Sequence, residues 1–292
     1  MRCINFDKEF QRFMAAYVKE HGKEYKNYDA IEAALPEIYE QFLDTPANWL
    51  SNAKPGEYFQ QYDQPRQLVN WMEDYLKQRI PVPDMLMNRI SELGKDAEES
   101  LMNLLRKERA PREAVMAAMT LLREIESVAP MAWYIELQLA RGEAEDELAD
   151  NALESLEDMG ADAIDAMREA LPKATPSGQE ALLTLLSNFP GDEQVFQTAL
   201  ALLSARKERV AVLADCLARL GDERALPALK AVAASEETPY LDYIELRSAI
   251  EALGGDAPER EFDETDPAYE AMRAIQDRPG DQGHDHDHGP LN

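Results

Sequence analysis

The sequence predicts an all-α protein built as a solenoid of stacked helix pairs. Three observations carry that prediction. Short apolar-periodic segments are closed repeatedly by one phrase: Leu93-Gly94, Met159-Gly160, Pro190-Gly191, Leu220-Gly221 and Leu253-Gly254. The steps between them are even: 31 residues from Gly160 to Gly191, 30 to Gly221 and 33 to Gly254, with 66, or two steps, from Gly94 to Gly160. A period of roughly 30–35 residues holding two helices marks a repeat array, in which a unit hides its apolar face only against its neighbours. Finally, Val and Ile are sparse in these segments and no alternating β-branched run occurs, so strands are not expected.

Residues 1–80 stand apart by composition. Fourteen of the 22 Phe, Trp and Tyr residues of the chain fall there. Phe10, Phe13, Met14 and Tyr17 follow helical spacing, as do Leu68, Trp71, Met72 and Tyr75, and helices are predicted near 7–20, 29–43 and 64–79. Pro36 breaks or restarts the second of them. Trp49, Tyr58, Phe59, Tyr62, Trp71 and Tyr75 are read as the core of an aromatic-rich N-terminal helical cap, with a ligand-binding groove as the sharper alternative. In Arg79-Ile80-Pro81-Val82-Pro83-Asp84 two prolines remove donors and disfavour helix in the residues before them, which places a domain boundary at 80/81.

Residues 81–255 are regular. Apolar residues recur at offsets 0, 3, 4 and 7: Val115, Ala118, Met119 and Leu122; Leu182, Leu185, Leu186 and Phe189; Val210, Leu213, Ala214 and Leu217; Leu246, Ala249, Ile250 and Leu253. Each stripe covers one face, so no helix buries its apolar side alone, and about five pairs are expected. The turns Arg106-Lys107-Glu108-Arg109 and Arg206-Lys207-Glu208-Arg209 hold similar places in their repeats, where cations complement the negative ends of the preceding helices. After Gly255 the pattern stops. Residues 256–292 carry 11 acids, read as a largely disordered tail in which one helix near 267–275 docks back through Tyr269, Met272 and Ile275.

The run Glu208-Arg209-Val210-Ala211-Val212-Leu213-Ala214-Asp215-Cys216-Leu217-Ala218-Arg219-Leu220-Gly221-Asp222-Glu223-Arg224-Ala225-Leu226-Pro227-Ala228-Leu229 resembles the short bacterial HEAT repeat first named from phycobilisome lyases. The likeness is good over 208–234, fair over 150–206 and weak over 84–149, where Met131-Ala132-Trp133-Tyr134-Ile135 is too bulky. Residues 1–80 lie outside it. The resemblance implies a right-handed α-α superhelix, a HEAT-like solenoid used for protein contacts, and no catalytic residues.

Composition narrows the function. Lys plus Arg is 30 against 57 Asp plus Glu, a net charge of −27, which opposes nucleic acid and anionic membranes and permits a basic partner. No apolar run approaches the roughly 18 residues of a membrane span, and the N-terminus lacks a secretory core segment, so a cytoplasmic location is expected. Cys3 and Cys216 make no metal or redox spacing, and Cys216 is read as a small buried hydrophobe. Phosphate loops, G-x-S-x-G and H-E-x-x-H are missing, so no enzyme is expected.

Two candidate sites remain. Gly283-His284-Asp285-His286-Asp287-His288-Gly289 spaces His284, His286 and His288 as weak ligands for Ni²⁺ or Zn²⁺, with a solvated tail as the plainer reading; no other cofactor is expected. Residues 143–169 hold 11 acids and one base, and Asp146, Asp150, Glu154, Glu157 and Asp158 form an acidic ridge. A solvated face is its plain reading and a dock for a basic partner segment the sharper one. The expected function is a non-enzymatic protein-binding module or scaffold using a concave solenoid face. A metal-handling accessory protein is the alternative, and a chromophore-lyase-like enzyme a distant one.

Overall fold

The structure, a computed structural model, describes residues 3–262 and 266–276, and among these the chain is helical, with no β-strand. The described residues divide into two compact units, one within 3–138 and 144–166, the other within 139–143, 167–262 and 266–276.

The first unit opens with α1 (Phe6–His21), capped by Asn5, whose Oδ1 accepts from the Lys8 amide at 2.9 Å. The helix expected over 29–43 is two: α2 (Tyr28–Ala33) ends at Ala34, and α3 (Leu35–Asp44) restarts with Pro36 in its first turn, where the missing amide costs nothing. Then follows α4 (Pro65–Lys77). Half of the aromatic set is buried in a core, while Trp49 stays 40% exposed. Phe59, Trp71 and Tyr75 are buried; Phe6 packs edge-on to Trp49 at 5.6 Å, and Tyr62 edge-on to Trp71 at 4.6 Å.

The unit continues through α5 (Asp84–Glu92), α6 (Lys95–Leu105), α7 (Arg112–Glu124), α8 (Met131–Leu139) and α9 (Glu147–Met159). α4 packs against α5, α6 and α7. The proline joint at 81–83 is therefore a bend inside one compact unit. The stripe of α4 needs apolar partners, and the first repeats supply them. α5 and α9 both pack on α7, as does α6.

α10 (Ile164–Ala170) carries the chain into the second unit, which holds α11 (Pro176–Leu186), α12 (Glu193–Ala205), α13 (Val210–Leu220), α14 (Leu226–Ala233) and α15 (Tyr240–Ala252). α13 packs on α11, α12 and α15, and α14 on α15. The final helix, α16 (Pro267–Gln276), docks on α15 as expected. Asp266 accepts from the Tyr240 amide at 2.7 Å and caps α16 through the Ala268 amide at 3.0 Å. Tyr269 meets the Tyr240 ring at 5.2 Å, and the Tyr240 hydroxyl donates to Met272 Sδ at 3.1 Å. The Ile275 side chain and everything from Asp277 lie outside the described residues.

The repeat markers sit between the helices of successive pairs. Gly94 and Gly160 share φ near 55° with ψ of −130° and −123°, a conformation that a Cβ disfavours. At both positions an added Cβ would meet open space, so the backbone angle alone calls for glycine. The 66-residue interval between them is filled: Glu126, 32 residues after Gly94 and 34 before Gly160, adopts φ 53°. The period is thus unbroken from 94 to 254.

Several long-range polar contacts span about one such step. In the first unit Ser127 Oγ donates to Glu98 across 29 positions, Arg123 to Glu154 across 31 and Arg112 to Asp146 across 34. In the second, Lys207 reaches Glu237 across 30 and Arg224 reaches Glu193 across 31. Side chains about 30 residues apart in sequence therefore meet at these points.

Candidate functional site

A cleft of about 450 Å³ opens at one end of α7, α8 and α9 in the first unit. Its geometry begins with how α7 stops. The Ser127 amide donates to Leu122 at 2.9 Å and the Glu126 amide to Arg123 at 2.9 Å, so the chain reverses through the left-handed Glu126. Ser127 is then pinned inside by its bond to Glu98 at 2.6 Å, while Val128 is left 49% exposed at the rim. From α8 comes Tyr134, and from α9 come Ser155, Asp158 and Met159. The turn after α9, which begins at Gly160, adds Asp162.

The cleft is acidic. Glu126, Asp158 and Asp162 line it against a single cation, Arg123. That cation is already committed, at 3.1 Å to Glu154 and 3.6 Å to Asp158. At the cleft's inner wall Tyr134 is 1% exposed, and no hydrogen bond of ordinary geometry satisfies its hydroxyl. The neighbouring Ser155 donates instead to the Asn151 carbonyl at 2.8 Å. Burial pushes the phenol up to about 12, with Ser155 and Arg123 opposing in part. The hydroxyl is therefore protonated at neutral pH.

Of the predicted ridge, only Asp158 reaches this cleft. Asp146 caps α9 and pairs with Arg112 at 3.0 Å, and Arg123 takes Glu154. Part of the ridge is thus cross-linked to α7. Sequence reasoning missed Glu126, Tyr134 and Asp162. Two signals were present: the vacant midpoint between Gly94 and Gly160, and the bulky run 131–135 that departs from the repeat pattern.

The two basic turns do more than face helix ends. Lys107 donates to both oxygens of Glu73 at 2.7 and 2.8 Å, and Lys77 joins at 2.9 Å. Glu73 is buried on α4, and burial opposes its ionisation. The two ammonium groups outweigh that and hold its carboxyl below the ordinary range. In the second unit Arg206 and Arg209 both grip the buried Glu180 of α11, Arg206 at 3.2 Å, and Arg206 also reaches Glu143 at 2.7 Å.

His284, His286 and His288 lie outside the described residues. Among the described residues no group of three or more His, Cys, Asp and Glu is placed to hold a metal ion. Cys3 and Cys216 are buried free thiols, and burial raises both. No helix among the described residues is long and apolar enough to cross a membrane. Compared with known proteins, the chain matches no family model, no curated protein and no solved structure.

Proposed function

We propose that this protein is a non-enzymatic protein-binding module or scaffold. In this reading the helix pairs of each unit form a HEAT-like right-handed stack, and the helices that end at the repeat markers line its concave face. One observation carries it: those helices pack on one another, α5 and α9 on α7 in one unit and α11 and α15 on α13 in the other. Side-by-side packing of equivalent helices leaves a continuous outer surface, which repeat arrays use to hold other chains. The acidic balance favours a partner with basic surface. Architecture by itself does not fix function, so the reading rests on a trial. Affinity capture from a lysate of the source cells, followed by binding of the purified partner, is expected to yield one reproducible polypeptide. Repeated captures with no common protein would count decisively against the reading.

A further inference from the structure

We propose that the groove where α12 and α14 end and α13 and α15 begin docks a basic amphipathic segment of the partner, with an aliphatic side chain in its apolar slot and lysine or arginine on its acidic rim. The inference rests on the protein-binding reading and gives it a place and a ligand chemistry. The slot, of about 300 Å³, is floored by the buried Leu203 of α12 and Val210 of α13 and walled by Ala231, Val232 and Pro239. Its wall is set before anything binds. Thr238 Oγ1 donates to the Val232 carbonyl at 2.6 Å, and Arg260 donates to the Thr238 and Glu236 carbonyls at 2.7 and 2.8 Å. An adjoining hollow shares Glu237, Thr238 and Pro239 with the slot. There Leu241 stands 62% exposed, the most exposed of the large aliphatic side chains among the described residues. An apolar slot beside a protruding leucine is surface suited to another chain.

Charge selects the occupant. Glu237 and Asp242 flank the slot, and Glu236, Glu259 and Glu261 line the hollow. The two cations are already committed, Lys207 to Glu237 at 2.5 Å and Arg260 to backbone carbonyls and the face of Phe262 at 4.5 Å. Asp242 has no cation opposite it, and burial holds its carboxyl above the ordinary range. The acids alone would be a solvated surface. An apolar slot that partly desolvates one of them fits a segment that pairs aliphatic with cationic side chains. The groove that follows the turn 106–109 in the first unit is lined instead by Arg106, Lys107 and Arg112 with Trp133, so the same occupant would meet like charge there.

The test titrates the full-length protein with a short amphipathic peptide of lysine and leucine, followed by methyl NMR and fluorescence anisotropy. Physiological salt screens the general attraction of a cation to a chain of charge −27. Saturable shifts are expected at Val210, Val232 and Leu241. A peptide with serine in place of leucine should bind at least tenfold more weakly, and one with glutamate in place of lysine should not bind. Ser204→Trp, at an exposed position on the slot's mouth, should weaken the lysine–leucine peptide at least fivefold without a fall in melting temperature. Leu241→Ala and Asp242→Asn should each weaken it about threefold, while Asp29→Asn on the exposed face of α2, which removes the same charge, should change nothing. No shift at the slot, equal binding of the serine peptide, or equal effects of Asp242→Asn and Asp29→Asn would overturn the proposal. If a captured partner binds the Ser204→Trp protein undiminished, the groove is wrong while the protein-binding reading stands. If the peptide binds as described but no partner is found, the groove stands and that reading fails.

Discussion

At Glu126 the repeat turns through the same left-handed region that the other markers fill with glycine. A side chain held there stores strain of about 1–3 kcal/mol, tolerated only where the surroundings over-determine the turn. Here the Ser127 amide bond to Leu122 and the buried Ser127–Glu98 bond do so. Glu126→Gly should therefore raise stability by about 0.5–1 kcal/mol, even after the greater freedom of glycine in the unfolded chain is charged against it. Gly94→Ala should lower stability by more than about 1 kcal/mol, because φ 55° with ψ −130° admits no Cβ comfortably. Urea midpoints of the two variants check both signs. The glycine markers were readable because glycine advertises its backbone freedom. Glu126 was not, since nothing in a glutamate announces a positive φ, and only the doubled interval pointed at the site.

Helices were legible where a 3.6-residue stripe spans three turns. Leu182, Leu185 and Leu186 on α11, and Val210, Leu213, Ala214 and Leu217 on α13, are all buried as their spacing predicts. Leu185→Ala should cost about 2–5 kcal/mol through the cavity it leaves. A loss under about 0.5 kcal/mol in chemical denaturation, the level of a surface change, would place Leu185 in water and break the register. Less legible were the charges that join helices. The basic turns at 106–109 and 206–209 read locally as helix-end chemistry, yet Lys107 holds Glu73 34 residues back and Arg209 holds Glu180 29 back. Such partners are fixed by stacking, which a local window does not contain. The Glu73 clamp predicts a pH dependence. Its folded carboxyl titrates below the ordinary 4.5, so its contribution is complete above about 4.5 and is lost as pH falls through the lowered folded value. Other lowered carboxylates, Glu193 and Asp222 among them, act in the same direction, so the difference between proteins isolates this one. Below pH 4.5 the unfolding free energy of the native protein should fall more steeply than that of Glu73→Gln; parallel curves would mean the clamp contributes nothing.

At the scale of the whole molecule, the all-helical class was readable. Prolines 81 and 83 suggested a boundary because they interrupt helix, but interruption of a helix does not interrupt a core. The stripe of α4, with Leu68 and Met72 wholly buried, is shared with α5, α6 and α7. The claim on which the proposed function depends is that each pair is held mainly by its immediate neighbours. In such an array stability is a sum of local terms, and damage to one pair does not reach distant ones. Leu246, wholly buried in α15, gives the most direct trial. Amide hydrogen exchange should show that Leu246→Ala lowers protection in α13, α14 and α15 while α11, α12 and the first unit keep theirs; an equal loss from α11 through α15 would contradict the stack.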